Sequence, residues 1–125
     1  MADQKKKKIL TVDDSKTALM MTTMALRSGP YEVTTAMDGE EAYAKAIADP
    51  PDLIVLDVIM PKLDGFETCR RLRGHAATKD VPIIMLTTRG EQVNVQTGVA
   101  SGCTEYLTKP LNMSEFGAKV KAYLG

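Results

Sequence analysis

The chain has 125 residues with 16 basic and 16 acidic side chains, so its net charge is zero and gives no electrostatic case for nucleic acid as a partner. Its length fits one domain that buries roughly two-thirds of the surface its unfolded chain exposes. No apolar run approaches the ~20 residues a membrane span needs, and nothing resembles a signal peptide, so a soluble, cytoplasmic protein with no membrane contact is expected.

The expected layout is a single domain over 1–125, with 1–7 as a basic, solvated tail ending in the run Lys5 to Lys8. Ile9-Leu-Thr-Val-Asp13-Asp14 reads as an apolar strand ending in carboxylates. Asp14 and Ser15 then look like helix-capping residues, and Ala18, Met21, Ala25 and Leu26 fall at helical spacing before Gly29-Pro30 stops the helix. Met20, Met21 and Met24 read as packing residues; an exposed Met20 or Met24 would instead serve a partner surface. Tyr31 to Ala36 alternates and is rich in β-branched residues, as in a strand near a sheet edge. Asp38-Gly39 opens a helix with Ala42, Tyr43, Ala46 and Ile47 on one side, closed by Pro50-Pro51.

Leu53-Ile-Val-Leu-Asp57 is a fully apolar strand that delivers one carboxylate to its C-terminal end. An ionised group beside a buried strand costs several kcal/mol unless it is paired, hydrated or metal-bound, so Asp57 needs partners. After it, Pro61 to Gly65 leads into a third helix with Phe66, Cys69 and Leu72 as its buried stripe and Arg70, Arg71 and Arg73 on its outer face. Ile83 to Thr87 is another apolar strand, ending in a hydroxyl. Gln92 to Ser101 is the weakest helical pattern, with only Val95 and Val99 periodic and Gly98 inside. Glu105 to Lys109 is a short strand ending in an ammonium group. Met113, Phe116, Val120, Tyr123 and Leu124 give the cleanest helical stripe. Cys69 and Cys103 match no metal-ligand spacing and read as buried free thiols in a reducing compartment. His75 reads as a solvated residue at a helix end.

Five strands alternating with five helices predict an α/β, doubly wound fold with a parallel sheet covered on both faces. In such folds ligands bind outside the C-terminal ends of the strands, where Asp13, Asp14, Asp57, Thr87 and Lys109 all fall. Three carboxylates at one spot repel one another, and one lysine leaves them at net −2, which calls for a hard divalent ion. Mg2+ fits best, because it takes oxygen ligands and keeps exchangeable waters. With a phosphoryl group on Asp57, the ion would bridge it to Asp13 and Asp14, Lys109 would pair with a second oxygen, and Thr87 would hydrogen-bond a third.

The motif pieces Val12-Asp13-Asp14-Ser15, Asp57 with Met60-Pro61 and Asp64-Gly65, Leu86-Thr87, and Tyr106-Leu-Thr-Lys109-Pro110 occur in order at the strand ends. From Ile9 to Leu124 the chain resembles a receiver domain of the response-regulator family, of the single-domain type related to the chemotaxis regulator CheY. The strand order 2-1-3-4-5, a flavodoxin-like and CheY-like arrangement, comes from that resemblance and not from the residues. The resemblance implies Asp57 as phosphoacceptor, with catalytic roles for Thr87 and Lys109. It implies Asp13, Asp14, Asp57 and the backbone carbonyl of Ile59 as metal ligands, and a cis Lys109-Pro110 bond. It also implies Thr87 and Tyr106 as switch residues that reshape the face of the fourth helix, fifth strand and fifth helix. The implied partners are a sensor histidine kinase and a downstream target protein on that face. The chain itself is expected as a monomer, with a phosphorylation-dependent dimer as the alternative. It would catalyse only its own phosphorylation and dephosphorylation.

Taken singly, Asp14 reads as a cap, Thr87 as a strand residue and Tyr106 as a core tyrosine. Those readings do not explain why Asp57 and Lys109 share one end of one sheet. Ile59, Thr88 and Arg89 depart from the common pattern; an apolar Ile59 cannot orient a water, which predicts slow self-dephosphorylation. With the chain ending just after the fifth helix, output is expected through binding another protein, as in motility control, or through a phosphorelay. The alternatives are a flavodoxin-like carrier, disfavoured by the missing phosphate cradle and aromatic clamps; an aspartyl phosphatase, disfavoured by Ile59; and a phosphorylation-independent interaction module.

Overall fold

In the computed structural model, residues 6–27, 29–57, 65–88, 102–109 and 113–124 are described. Strands β1 (Lys7–Val12), β2 (Tyr31–Ala36), β3 (Leu53–Asp57), β4 (Ile83–Thr88) and β5 (Glu105–Lys109) form one parallel sheet ordered β2-β1-β3-β4-β5. The alternation of side chains along each strand divides the core into two layers. Leu10, Val12, Ile54, Leu56, Ile83 and Met85 face α2 (Gly39–Ala48) and α3 (Gly65–Arg73), packing on Ala42, Ala46, Cys69 and Leu72. Ile9, Leu53, Val55, Ile84, Leu86 and Leu107 face the other way, onto Leu26 of α1 (Lys16–Arg27) and Phe116 and Val120 of the C-terminal helix (Met113–Leu124). Covered on both faces, β3 is buried along its whole length, which is why its sequence is an unbroken apolar run.

The expectation of five helices is corrected: the described residues contain four. The helix expected over Gln92 to Ser101 falls on residues outside the described set. That stretch also carries the poorest helical pattern in the sequence, with two periodic valines and an internal glycine.

Local chemistry fixes the ends of the elements. Ser15 caps α1: its hydroxyl accepts the Ala18 N–H at 3.2 Å. Asp38 caps α2, accepting the Glu41 N–H at 2.8 Å, while the Glu41 carboxylate accepts the Met37 N–H at 2.9 Å, a reciprocal box. β1 takes in Lys7 and Lys8, so the expected tail over 1–7 loses its last residue to the sheet. Lys8 is held there because its N–H donates to the Asp52 carboxylate and its ammonium pairs with Asp49, both before β3.

The buried stripe of α1 differs in part from expectation. Leu26 faces the core and Ala25 packs partly against it, as expected, but Leu19 and Thr22 are buried with them, whereas Met21 is exposed. Both stripes satisfy a helical period, and contact with the sheet selects the one carrying two leucines.

Candidate functional site

Asp57 is the last residue of β3 and has the same strand parity as Leu53 and Val55. It is 7% exposed, and Asp13, just past β1, is 4% exposed. The Asp13 N–H still bonds the Ala36 carbonyl of β2 at 3.1 Å, so the chain leaves the sheet only after Asp13 has been fixed. Its carboxylate accepts the Ser15 N–H at 3.0 Å, turning the backbone into α1. Asp14, between them, is exposed. Carboxylate oxygens of Asp13, Asp14 and Asp57 all lie within 4.8 Å of one another.

Two buried carboxylates and one exposed carboxylate converging this closely form a set of hard oxygen donors open on one side. That donor set can coordinate a divalent metal ion, with Asp14 at the solvent side. The predicted trio of acids is thus brought together.

The other predicted residues stand as follows. Parallel register pairs Asp57 with Leu86, Thr87 with Thr108 and Thr88 with Lys109, so the backbones of Thr87 and Lys109 end at the same edge of the sheet as Asp57. Tyr106 pairs with Met85 in that register. Ile59, Met60, Pro61, Asp64, Arg89 and Pro110 lie outside the described residues, and with them the carbonyl ligand and the cis bond.

Two polar clusters were not foreseen. Arg73, expected on the outer face of α3, instead folds back: its Nε donates to the Gly102 carbonyl at 2.8 Å, Nη1 to the Val81 carbonyl at 2.6 Å, and Nη2 to the Thr104 hydroxyl at 3.1 Å. Glu105, opening β5, accepts from Lys119 Nζ and Tyr123 Oη, each at 3.1 Å, and so ties that strand to the C-terminal helix. Lys119 is held protonated more firmly by this partner, and the Tyr123 hydroxyl is pushed up first by burial and then by the same carboxylate. The thiols also differ in part from expectation, since Cys69 is buried but Cys103 only half so.

A doubly wound parallel sheet with an acidic cluster able to coordinate a divalent ion at its strand ends defines a CheY-like domain suited to metal-dependent phosphoacceptor chemistry. The family profile of the response regulator receiver domain matches residues 9–121, and the chain belongs to that family. Receiver domains act only on their own phosphorylation state. Among relatives, the chain is 46% identical over 118 residues to the alkaline phosphatase synthesis transcriptional regulatory protein PhoP of Bacillus subtilis, covering 94% of this chain and 48% of that protein. It spans about half the length of this and other curated relatives it matches. Chemotaxis protein CheY4 of Vibrio cholerae superposes with a TM-score of 0.89 at 39% identity, covering 95% of this chain and 99% of that one. The receiver domain of sensor histidine kinase PA1611 from Pseudomonas aeruginosa, solved with a magnesium ion coordinated in its active-site cleft, gives 0.89 at 30% identity, covering 97% and 99%. No helix among the described residues is long and apolar enough to cross a membrane.

Proposed function

We propose that this chain is a two-component signalling receiver in which Asp57 accepts a phosphoryl group from a sensor histidine kinase. The observation that carries the reading is the convergence of Asp13, Asp14 and Asp57 within 4.8 Å at the strand ends. A carboxylate oxygen of Asp57 attacks phosphorus as the bond from phosphorus to the donor imidazole nitrogen breaks, giving an acyl phosphate and a free imidazole. Asp13, Asp14 and Asp57 would hold Mg2+, the ion found in the cleft of the Pseudomonas relative, with the Ile59 carbonyl as the further ligand that the family resemblance implies. When bound, the ion supplies charge neutralisation between the acids and the incoming phosphoryl oxygens. Lys109 balances a further oxygen and Thr87 donates its hydroxyl to another, since β4 and β5 end at the same edge of the sheet as β3.

Thr87 and Tyr106 then carry the change to the face of β5 and the C-terminal helix, where a target protein binds. The likeness to a chemotaxis protein supports a motility-type output. The receiver acts in the cytoplasm and as a monomer, with a phosphorylation-dependent dimer as the alternative.

The reading is tested with Mg2+ and acetyl phosphate, comparing wild type with Asp57→Asn by intact mass. One phosphoryl adduct that needs Mg2+ and disappears in the variant is expected. No adduct, under conditions that label a known receiver, overturns it in favour of a phosphorylation-independent interaction module.

A further inference from the structure

Among the described residues, the large apolar side chains left in solvent are three methionines of one helix. Met20, Met21 and Met24 of α1 are 61%, 53% and 64% exposed. Met20 and Met24 lie one turn apart with Met21 beside them, so the three thioethers form one surface ridge. It starts a turn beyond the Ser15 cap.

The other described sulfur atoms are shielded. Met85 and Cys69 are fully buried, and Met37 and Cys103 are partly buried. Burial, reinforced by the neighbouring Cys69, pushes the Cys103 thiol up to about 11. At pH 7 that leaves about one Cys103 in ten thousand as thiolate, the form that reacts with oxidants. A thioether has no such requirement and needs only access.

We propose that Met20, Met21 and Met24 form a peroxide-oxidation site, making the thioethers of α1, and not the thiols, the first of the described sulfurs to yield to an oxidant. In each event a sulfur lone pair attacks one oxygen of hydrogen peroxide, the S–O bond forms as the O–O bond breaks, and proton transfer releases water. The sulfur is oxidised by two electrons, the peroxide is reduced by two, and the product is methionine sulfoxide. Sulfoxide reductases reverse the step, so the ridge toggles between apolar and polar.

The test is stepwise oxidation of the full chain with hydrogen peroxide at pH 7, read by peptide mapping, with dimedone present to trap sulfenic acids. Sulfoxide is expected at Met20, Met21 and Met24 about tenfold or more faster than at Met37 and Met85, and before any trapped cysteine. A triple leucine variant (Met20→Leu, Met21→Leu, Met24→Leu), which conserves volume on an exposed face, removes the fast phase. The thermal midpoint of the oxidised chain stays at that of the reduced one. Equal rates at exposed and buried methionines, earlier trapping of Cys103 or Cys69, or a fall in the midpoint each overturn the proposal.

Discussion

Arg73 and Gly102 form a matched pair across 29 residues of sequence: the guanidinium donates to the Gly102 carbonyl at 2.8 Å. Gly102 has a φ of +100°, and a Cβ there would sit 3.0 Å from Arg73 Cγ. Glycine is needed both for that backbone conformation and for the approach of the arginine stem. The remaining Arg73 donors reach the carbonyls of Val81 and Lys79 and the Thr104 hydroxyl, so one side chain joins the end of α3 to the segments that enter β4 and β5.

Arg73→Ala leaves several partly buried acceptors without their charged donor and is expected to cost about 3 kcal/mol in urea unfolding. Gly102→Ala is expected to cost about 1–2 kcal/mol. Because both act on one contact, the double variant falls short of the sum of the single costs. Additive losses would mean that the two residues are not coupled.

Glu41 gives stability a pH dependence. The Met37 N–H donated to its carboxylate, with Lys45 beside it, holds its pKa below the usual carboxylate value. A folded-state pKa below the unfolded one contributes stability above the unfolded value and loses it as pH falls through the folded value. Glu41→Gln should therefore destabilise at pH 7, by about 0.5–1 kcal/mol after allowance for solvent screening, and by little once the carboxyl is protonated. A cost that is the same on both sides of the carboxylate range would contradict the assignment.

The carboxylate trio predicts opposite responses to charge removal and to metal. In chelator, Asp57→Asn is expected to unfold at higher temperature than wild type, by about 1 kcal/mol of relieved repulsion. Adding Mg2+ at 100 times its Kd stabilises wild type by about 2.7 kcal/mol and the variant by clearly less. A variant that is less stable in chelator and equally stabilised by Mg2+ would refute this account of the cluster.

Ile59, two residues after Asp57, cannot orient a hydrolytic water. Ile59→Asn is expected to shorten the lifetime of the phosphorylated chain several-fold, on the order of 1 kcal/mol in barrier, measured by loss of the adduct after donor removal. An unchanged or longer lifetime would count against that role.

The sheet was legible because β3 announces itself: an apolar run closed by one carboxylate has few uses other than a buried strand feeding a site. Asp13 was legible by the same pattern at the end of β1. The buried face of α1 was not. Ala18, Met21, Ala25 and Leu26 satisfy a helical period as well as Leu19, Thr22 and Leu26 do, and the choice is made by packing against the sheet, which periodicity along the helix cannot weigh. Arg73 was hidden for a related reason. In sequence it is one of three arginines on a short helix, and what singles it out is a glycine carbonyl far along the chain.

The most direct test of the central claim is the rate of phosphoryl labelling by acetyl phosphate as a function of Mg2+ concentration, in wild type and in Asp13→Asn. If the acidic trio holds the ion that Asp57 phosphorylation needs, wild type saturates with Mg2+, and the variant requires about tenfold or more Mg2+ or is not labelled at all. The same Mg2+ dependence in both chains would contradict the claim and separate the acidic cluster from the chemistry of Asp57.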